Sequence, residues 1–195
     1  MGQNFTTYSF TDSVKEAQEK YGSRKMYARM DDSGDQYMLT SRESDFIANM
    51  DGFFLSTVGE NGWPYVQFRG GPKGFLKVLD RHTLGYADFK GNMQYISTGN
   101  MTDNSRVAII FMDYPRKMRL KVWAESKIVD VADDPELASK LVDKDYRAIP
   151  ERLVTLDVKA YDWNCPQHIP QRFTLEELKM MVKNDPDIIN LLQDE

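Results

Sequence analysis

The dipeptide Asn61-Gly62 lies between two strand-like runs, FFLSTV at 53–58 and YVQFR at 65–69, and no other feature constrains the fold as tightly. A tight hairpin turn needs positive φ, which Asn and Gly tolerate better than other residues, so the two runs read as an antiparallel pair. More β-type sequence follows. FLKVLD (75–80) and TLGYAD (83–88) read as two short strands around Arg81 and His82. VAIIFM (107–112) is apolar throughout, which predicts a strand covered on both faces. Residues 118–130 alternate, with Leu120, Val122 and Ala124 on one face and Arg119, Lys121 and Trp123 on the other. Residues 152–163 alternate again and read as the last strand.

Helical signals fall at the ends and in the connections. Residues 1–10 read as a loose polar lead-in. Thr11 or Asp12 caps a helix carrying Val14, Ala17 and Tyr21 and ending at Gly22, and 23–39 reads as a loop or arm. Thr40 and Glu43 form a capping box that opens a short helix through Met50, burying Phe46 and Ile47. In 91–101, Met93 and Ile96 stand at helical spacing but Gly99 interrupts them. Asp133 or Asp134 caps a helix with Pro135 in its first turn. Thr174 and Glu177 make a second capping box for a helix through Lys183, and Pro186 begins a terminal one.

Six or so antiparallel strands with peripheral helices would close a small barrel, which removes exposed sheet edges. The expected class is therefore mainly β, in one domain spanning 1–195: an N-terminal helical arm (1–40), a barrel core (41–163) and a C-terminal loop with helices (164–195). A barrel this small fills its interior with side chains. A ligand then sits outside it, and such sites often lie at a subunit interface.

Charge narrows the partners. The 195-residue chain carries a net charge of -5, which argues against nucleic acid. Yet residues 64–94 hold five cations (Arg69, Lys73, Lys77, Arg81, Lys90) against Asp80 and Asp88, so an anionic small molecule is a plausible guest. No apolar run approaches the ~18 residues of a membrane span. The single cysteine, Cys165, excludes an intrachain disulfide and suits a reducing compartment. No signal peptide is apparent, so a cytoplasmic location is expected. Gly2 and Thr6 match a short myristoylation pattern, but one acyl chain without a polybasic partner anchors only marginally. Two histidines and one cysteine cannot complete a four-ligand zinc site without carboxylates, so no metal is expected. RGGPKG lacks the Gly-Lys-Ser/Thr of a P-loop; its glycines serve a turn or a close approach to a ligand.

The order of these segments, with RGGPKGFLKVLD at 69–80 and NSRVAIIF at 104–111, resembles the FMN-binding split barrel of the pyridoxamine 5'-phosphate oxidase-related family. DWNCPQHIPQR (162–172) is similar to the C-terminal signature of an uncharacterised branch of that family. The resemblance spans residues 10–173. It implies a homodimer that binds FMN non-covalently at its interface and acts as an oxidoreductase on an unknown small molecule. It also implies site residues. Arg69 and Lys77 match the family's Arg and Lys on this segment, the Arg facing the cofactor and the Lys facing cofactor or substrate. The competing reading of either residue is a solvated strand cation. Tyr86 and Ala87 match a strand end whose backbone lies near the cofactor.

The family then places a Ser-Arg-Lys phosphate grip, whereas this chain has Asp88, Phe89, Lys90, Gly91 and Asn92. The grip is altered. Lys90, Asn92 and Gln94 remain candidates to hold a phosphate at a helix N-terminus, or are an ordinary polar helix start. Arg119 matches a position that reaches the cofactor from the second subunit, or is a surface cation beside Arg116 and Lys117. Trp163 and Asn164 match the family's Trp-Gln, with Trp163 walling the flavin or serving as core. Gln167 neighbours the ring, and Arg172 falls near the family's cofactor-binding Arg. Flavin chemistry needs no protein nucleophile, so no catalytic residue is assigned. The family's substrate-binding Arg-x-His-x-Arg is replaced by CPQHIPQR, which argues against pyridoxamine phosphate as substrate. A flavin carrier or redox sensor, and a split barrel binding F420 or haem, are the alternatives.

Overall fold

The computed structural model describes residues 4–31 and 37–185. Gly2, the Ser33-Gly34 part of the expected arm loop and the helix expected from Pro186 lie outside the described residues. In chain order the elements are α1 (Phe5–Ser9), α2 (Asp12–Lys20), α3 (Arg24–Asp31), α4 (Ser41–Ala48), β1 (Gly52–Val58), β2 (Pro64–Gly70), β3 (Lys77–Val78), β4 (Thr83–Phe89), α5 (Ile96–Asp103), β5 (Arg106–Asp113), β6 (Met118–Asp130), α6 (Pro135–Leu141), β7 (Pro150–Trp163) and α7 (Leu175–Asn184). The seven strands form one antiparallel sheet in the order β2-β1-β5-β6-β7-β4-β3.

The sheet is closed on itself. In a flat sheet β1 and β4, four places apart, would stand about 19 Å from each other at the usual strand spacing. Instead Phe53 of β1 meets Tyr86 of β4 edge to face, with ring centroids 5.4 Å apart. Phe53 also stacks on Phe75 at 5.6 Å and touches Phe111 of β5 at 5.7 Å. Leu55, Ile109, Leu120, Val122, Val154 and Leu156 complete a side-chain-filled interior. This is the mainly β barrel that the strand pattern predicted and the split-barrel class that the resemblance implied, with seven strands in place of six.

The hairpin forms where Asn61-Gly62 placed it: Gly52 pairs with Gly70 and Val58 with Pro64. Gly62 has φ +82°, and the turn closes through Gly59 N–H to the Trp63 carbonyl at 2.9 Å. Both capping boxes are present, at Thr40/Glu43 and Thr174/Glu177.

Four expectations need correction. FLKVLD is a strand only at Lys77 and Val78, because Phe75 and Leu76 turn into the core and Asp80 accepts from the N–H groups of His82 and Thr83 to reverse the chain. The lead-in contains a helix, α1, capped by Asn4 Oδ1 accepting from Thr6 N–H at 2.9 Å, with Phe5 stacked on Trp123 of β6. Residues 24–31 of the expected loop are helical. Tyr27 there packs edge to face on Phe10 at 5.5 Å, so a tertiary contact decides where the local pattern showed no period. β5 is covered on one face only: Val107, Ile109 and Phe111 are buried, whereas Ile110 faces outward at 36% exposure. Ile110 adjoins Phe54, which adjoins Phe68, and Val66 lies further along β2. These side chains make an exposed apolar strip across β2, β1 and β5.

The helices position the barrel mouth. α4 inserts Phe46 and Ile47 into the core, and α6 packs Leu141 against Ala87 and Leu153. α5 buries Met101 and is tied to β1 by Asn100 Nδ2 donating to Thr57 Oγ1 at 3.0 Å, and its first turn meets β2 where Ser97 reaches Gln67. Among the described residues no helix is long and apolar enough to cross a membrane.

Candidate functional site

Barrel closure brings the end of β2 against the end of β4 and the start of β7. There Asp88, 3% exposed, accepts from Arg69 Nη1 at 2.8 Å and from Arg152 Nε and Nη2 at 3.0 and 2.9 Å. A carboxylate this buried is stable only when paired and fully hydrogen-bonded, and two guanidinium groups satisfy it. They also leave a positive surplus. Arg152 spends a further Nη2 contact on Glu151 Oε2 at 2.9 Å, and its guanidinium lies 5.0 Å from the Tyr95 ring centroid. Burial opposes charge on Arg152, but Asp88 and Glu151 outweigh it and raise the pKa of the guanidinium.

These cations open onto a cavity of about 50 Å³ whose lining includes Gln67, Arg69, Asn92, Gln94, Ser97 and Arg152. The first turn of α5 forms one wall. Its N-cap, Tyr95, is left-handed at φ +52° and supplies no side-chain cap, so the first-turn N–H groups have no intrahelical or capping acceptor. Asn92 Oδ1 accepts from Gln94 N–H at 3.1 Å, and Ser97 Oγ donates to Gln67 Oε1 at 3.0 Å.

A second cavity, of about 160 Å³, shares Arg69, Asp88 and Phe89 with the first and is walled by Phe68, Phe75, Tyr86 and Ala87. Two buried polar atoms beside it have no partner among the described residues: Arg69 Nε and the Tyr86 hydroxyl. Burial pushes the Tyr86 hydroxyl well above its ordinary pKa, so it stays protonated and available as a donor. Each cavity is smaller than the ~300 Å³ at which closed small-molecule sites begin.

Another set of candidates sits elsewhere. Trp163, at the end of β7, donates Nε1–H to Glu43 Oε1 at 2.7 Å, packs edge to face on Phe46 at 4.7 Å and carries the Arg42 guanidinium over its ring at 4.5 Å. Burial alone would push the Glu43 carboxyl up, but hydrogen bonds from Thr40 and Trp163 hold it below its usual value. The Asn164 N–H donates to the Arg119 carbonyl at 3.0 Å, while Asn164 Oδ1 and Arg119 Nε are buried without partners among the described residues. Arg172 lies over the Tyr114 ring at 5.0 Å and lines a cavity of about 330 Å³ with Lys73, Arg116 and Phe173. Gln167 is exposed, in a loop where His168 takes φ +64°.

Of the residues singled out from sequence, Arg69, Asn92 and Gln94 line the first cavity and Tyr86 and Ala87 the second. Lys77 pairs with Gly85 and lines neither; Lys90 is exposed, with its N–H on the Ile149 carbonyl at 2.8 Å, and also lines neither. Arg119, Trp163, Asn164, Gln167 and Arg172 are separate from the Arg69 cleft within one chain. Of the glycine loop, Gly74 has φ +72°, and a Cβ there would meet the Ala48 carbonyl oxygen at 2.8 Å. It docks the loop on α4. Sequence reasoning missed Arg152, whose role depends on Asp88, 64 residues away.

Comparison with known proteins places this arrangement. The sequence model of the family described as pyridoxamine 5'-phosphate oxidase matches residues 39–164. No functionally curated protein matches the chain. Among solved structures, a putative pyridoxamine 5'-phosphate oxidase from Lactobacillus delbrueckii is similar at 25% identity and a TM-score of 0.50, covering 65% of this chain and 95% of its own. HupZ of Group A Streptococcus is similar at 20% identity and TM-score 0.48 over 70% of this chain and all of its own. An FMN-binding protein from Syntrophomonas wolfei reaches 15% identity and TM-score 0.46 over 75% of this chain and 97% of its own.

Proposed function

Because the chain belongs to the pyridoxamine 5'-phosphate oxidase family, we propose that it is a cytoplasmic FMN-binding flavoprotein, an oxidoreductase acting on a small molecule. The observation that carries this reading is the Arg69–Asp88–Arg152 cluster, opening beside an uncapped helix N-terminus. Charge-assisted bonds and free amides of this kind suit a phosphate. Next to it the unpartnered Arg69 Nε and Tyr86 hydroxyl can meet polar edges of a ligand, and Phe68, Phe75 and Phe89 supply apolar wall. The residues present therefore fit FMN. When bound, the flavin supplies hydride or electron transfer; the protein binds it, orients it and limits water access.

The reading includes a homodimer. The exposed strip of Phe54, Val66, Phe68 and Ile110 is the kind of contiguous apolar surface that soluble proteins cover with a partner. A second copy would also close the cleft, bringing Arg119, Trp163, Asn164, Gln167 and Arg172 as the other wall. The orphaned Arg119 Nε and Asn164 Oδ1 support such a role, since buried polar atoms are normally satisfied.

The test is an absorption spectrum of the purified protein from 300 to 600 nm, repeated on the heat-released supernatant with mass spectrometry. FMN bands, released FMN and their loss in Arg69→Ala are expected. A colourless protein that also fails to take up added FMN overturns the reading and points to F420 or haem. Bound FMN that no candidate donor reduces leaves a carrier or sensor in place of an oxidoreductase.

A further inference from the structure

We propose that Arg152, not Lys90, grips the cofactor's phosphate alongside Arg69, and that Glu151 competes with that phosphate for Arg152; this rests on the FMN reading above. Among the described residues, Arg69 and Arg152 are the only cations lining the cavity at the start of α5. Lys90, the basic residue closest in sequence to the family's phosphate grip, is exposed and lines neither cavity of the cleft.

Donor accounting favours the same residue. A guanidinium has five N–H donors. Arg152 commits Nε and Nη2 to Asp88 and Nη2 also to Glu151, and Nη1 makes no hydrogen bond among the described residues. Its plane is held by Asp88 on one edge and by the Tyr95 ring beside it. Arg152 is thus set in place before any ligand arrives, so little side-chain entropy is lost on binding. Tyr95 itself is held by its hydroxyl, which donates to Glu151 Oε1 at 3.4 Å.

Charge sets the role of Glu151. Arg69 and Arg152 against Asp88 leave one positive charge, which the partly buried Glu151 balances. A phosphate carrying nearly two negative charges outcompetes one carboxylate for that guanidinium, and Glu151 can turn to solvent. Removing Arg152 and removing the Glu151 charge then act in opposite directions, and both act on the phosphate alone.

The experiment titrates apoprotein with FMN and with riboflavin, which lacks the phosphate, following flavin fluorescence, with inorganic phosphate as competitor. Wild type should bind FMN more tightly than riboflavin, and phosphate should displace part of that preference. Arg152→Gln should weaken FMN roughly 10- to 100-fold, the range for a hydrogen bond to a charged group, and leave riboflavin unchanged. Arg152→Lys should recover part of the loss. Glu151→Gln should tighten FMN by about 2- to 5-fold, the size of a partly exposed ion pair.

If Arg152→Gln weakens FMN and riboflavin equally, or neither, the phosphate grip is overturned while the flavin site stands. Wild type with no preference for FMN over riboflavin overturns it in the same way. Wild type that binds neither overturns the flavin reading itself. Should Arg152→Gln not fold once Asp88 loses a partner, Arg152→Lys and Glu151→Gln decide. A Lys variant equal to wild type, together with an unchanged or weakened Glu151→Gln, overturns the assignment.

Discussion

Phe53 is the residue through which barrel closure can be measured. It is 1% exposed and touches three rings, one of which, Tyr86 of β4, reaches it only because the sheet curls round. Replacing a buried Phe by Ala costs about 3–5 kcal/mol in lost transfer energy and residual cavity. For a chain of this length that corresponds to a fall in Tm of about 6–20 °C, taking 2–4 °C per kcal/mol. The decisive quantity is the coupling to Tyr86. Aromatic pairs contribute about 0.5–1.5 kcal/mol beyond area burial, so a cycle of Phe53→Leu, Tyr86→Leu and the double variant should return that coupling in denaturant unfolding. A coupling below about 0.3 kcal/mol is what independent sites give. That result would place β1 and β4 apart and refute the closed arrangement from which the Arg69–Asp88–Arg152 cluster follows.

Two further outcomes test the supports of the site. Glu43 has its carboxyl held below the usual value by Thr40 and Trp163, so its stabilising contribution is complete above the unfolded pKa of 4.5 and is lost as pH falls through the lower folded value. Glu43→Gln should remove that part of the acid dependence in unfolding titrations between pH 5 and 3; an unchanged slope would sink the account. Gly74→Ala, at φ +72° and facing the Ala48 carbonyl, should destabilise by at least about 1–2 kcal/mol, whereas Gly99→Ala, within α5 and open to space, should stabilise by about 0.5–1 kcal/mol. Equal signs in thermal unfolding would show that the loop does not dock on α4 as described.

Much of the fold was legible because it is written in local signals. Asn61-Gly62 sets a turn, alternation in 118–130 and 152–163 sets strand faces, and Thr40/Glu43 and Thr174/Glu177 mark helix starts. Each depends on residues a few positions apart, and chain chemistry alone enforces it. α3 was not legible, since Tyr27 is held by Phe10 and its own segment shows no period. The outward face of β5 misled for the opposite reason: an apolar run looks the same whether a second layer of this chain covers it or not.

The site divides along the same line. By itself the sequence determined that a cation-rich segment, 64–94, carries Arg69 near the end of a strand and Tyr86-Ala87 on the second strand after it. Only the tertiary structure decided which cations meet. It removed Lys77 and Lys90 from the cleft lining, separated Arg119, Trp163 and Arg172 from Arg69, and brought in Arg152. The physical reason is that a buried carboxylate must be fully paired. Asp88 recruits its second guanidinium from whichever strand the barrel lays beside it, and that neighbour is fixed by sheet order and register, which no spacing along the chain encodes.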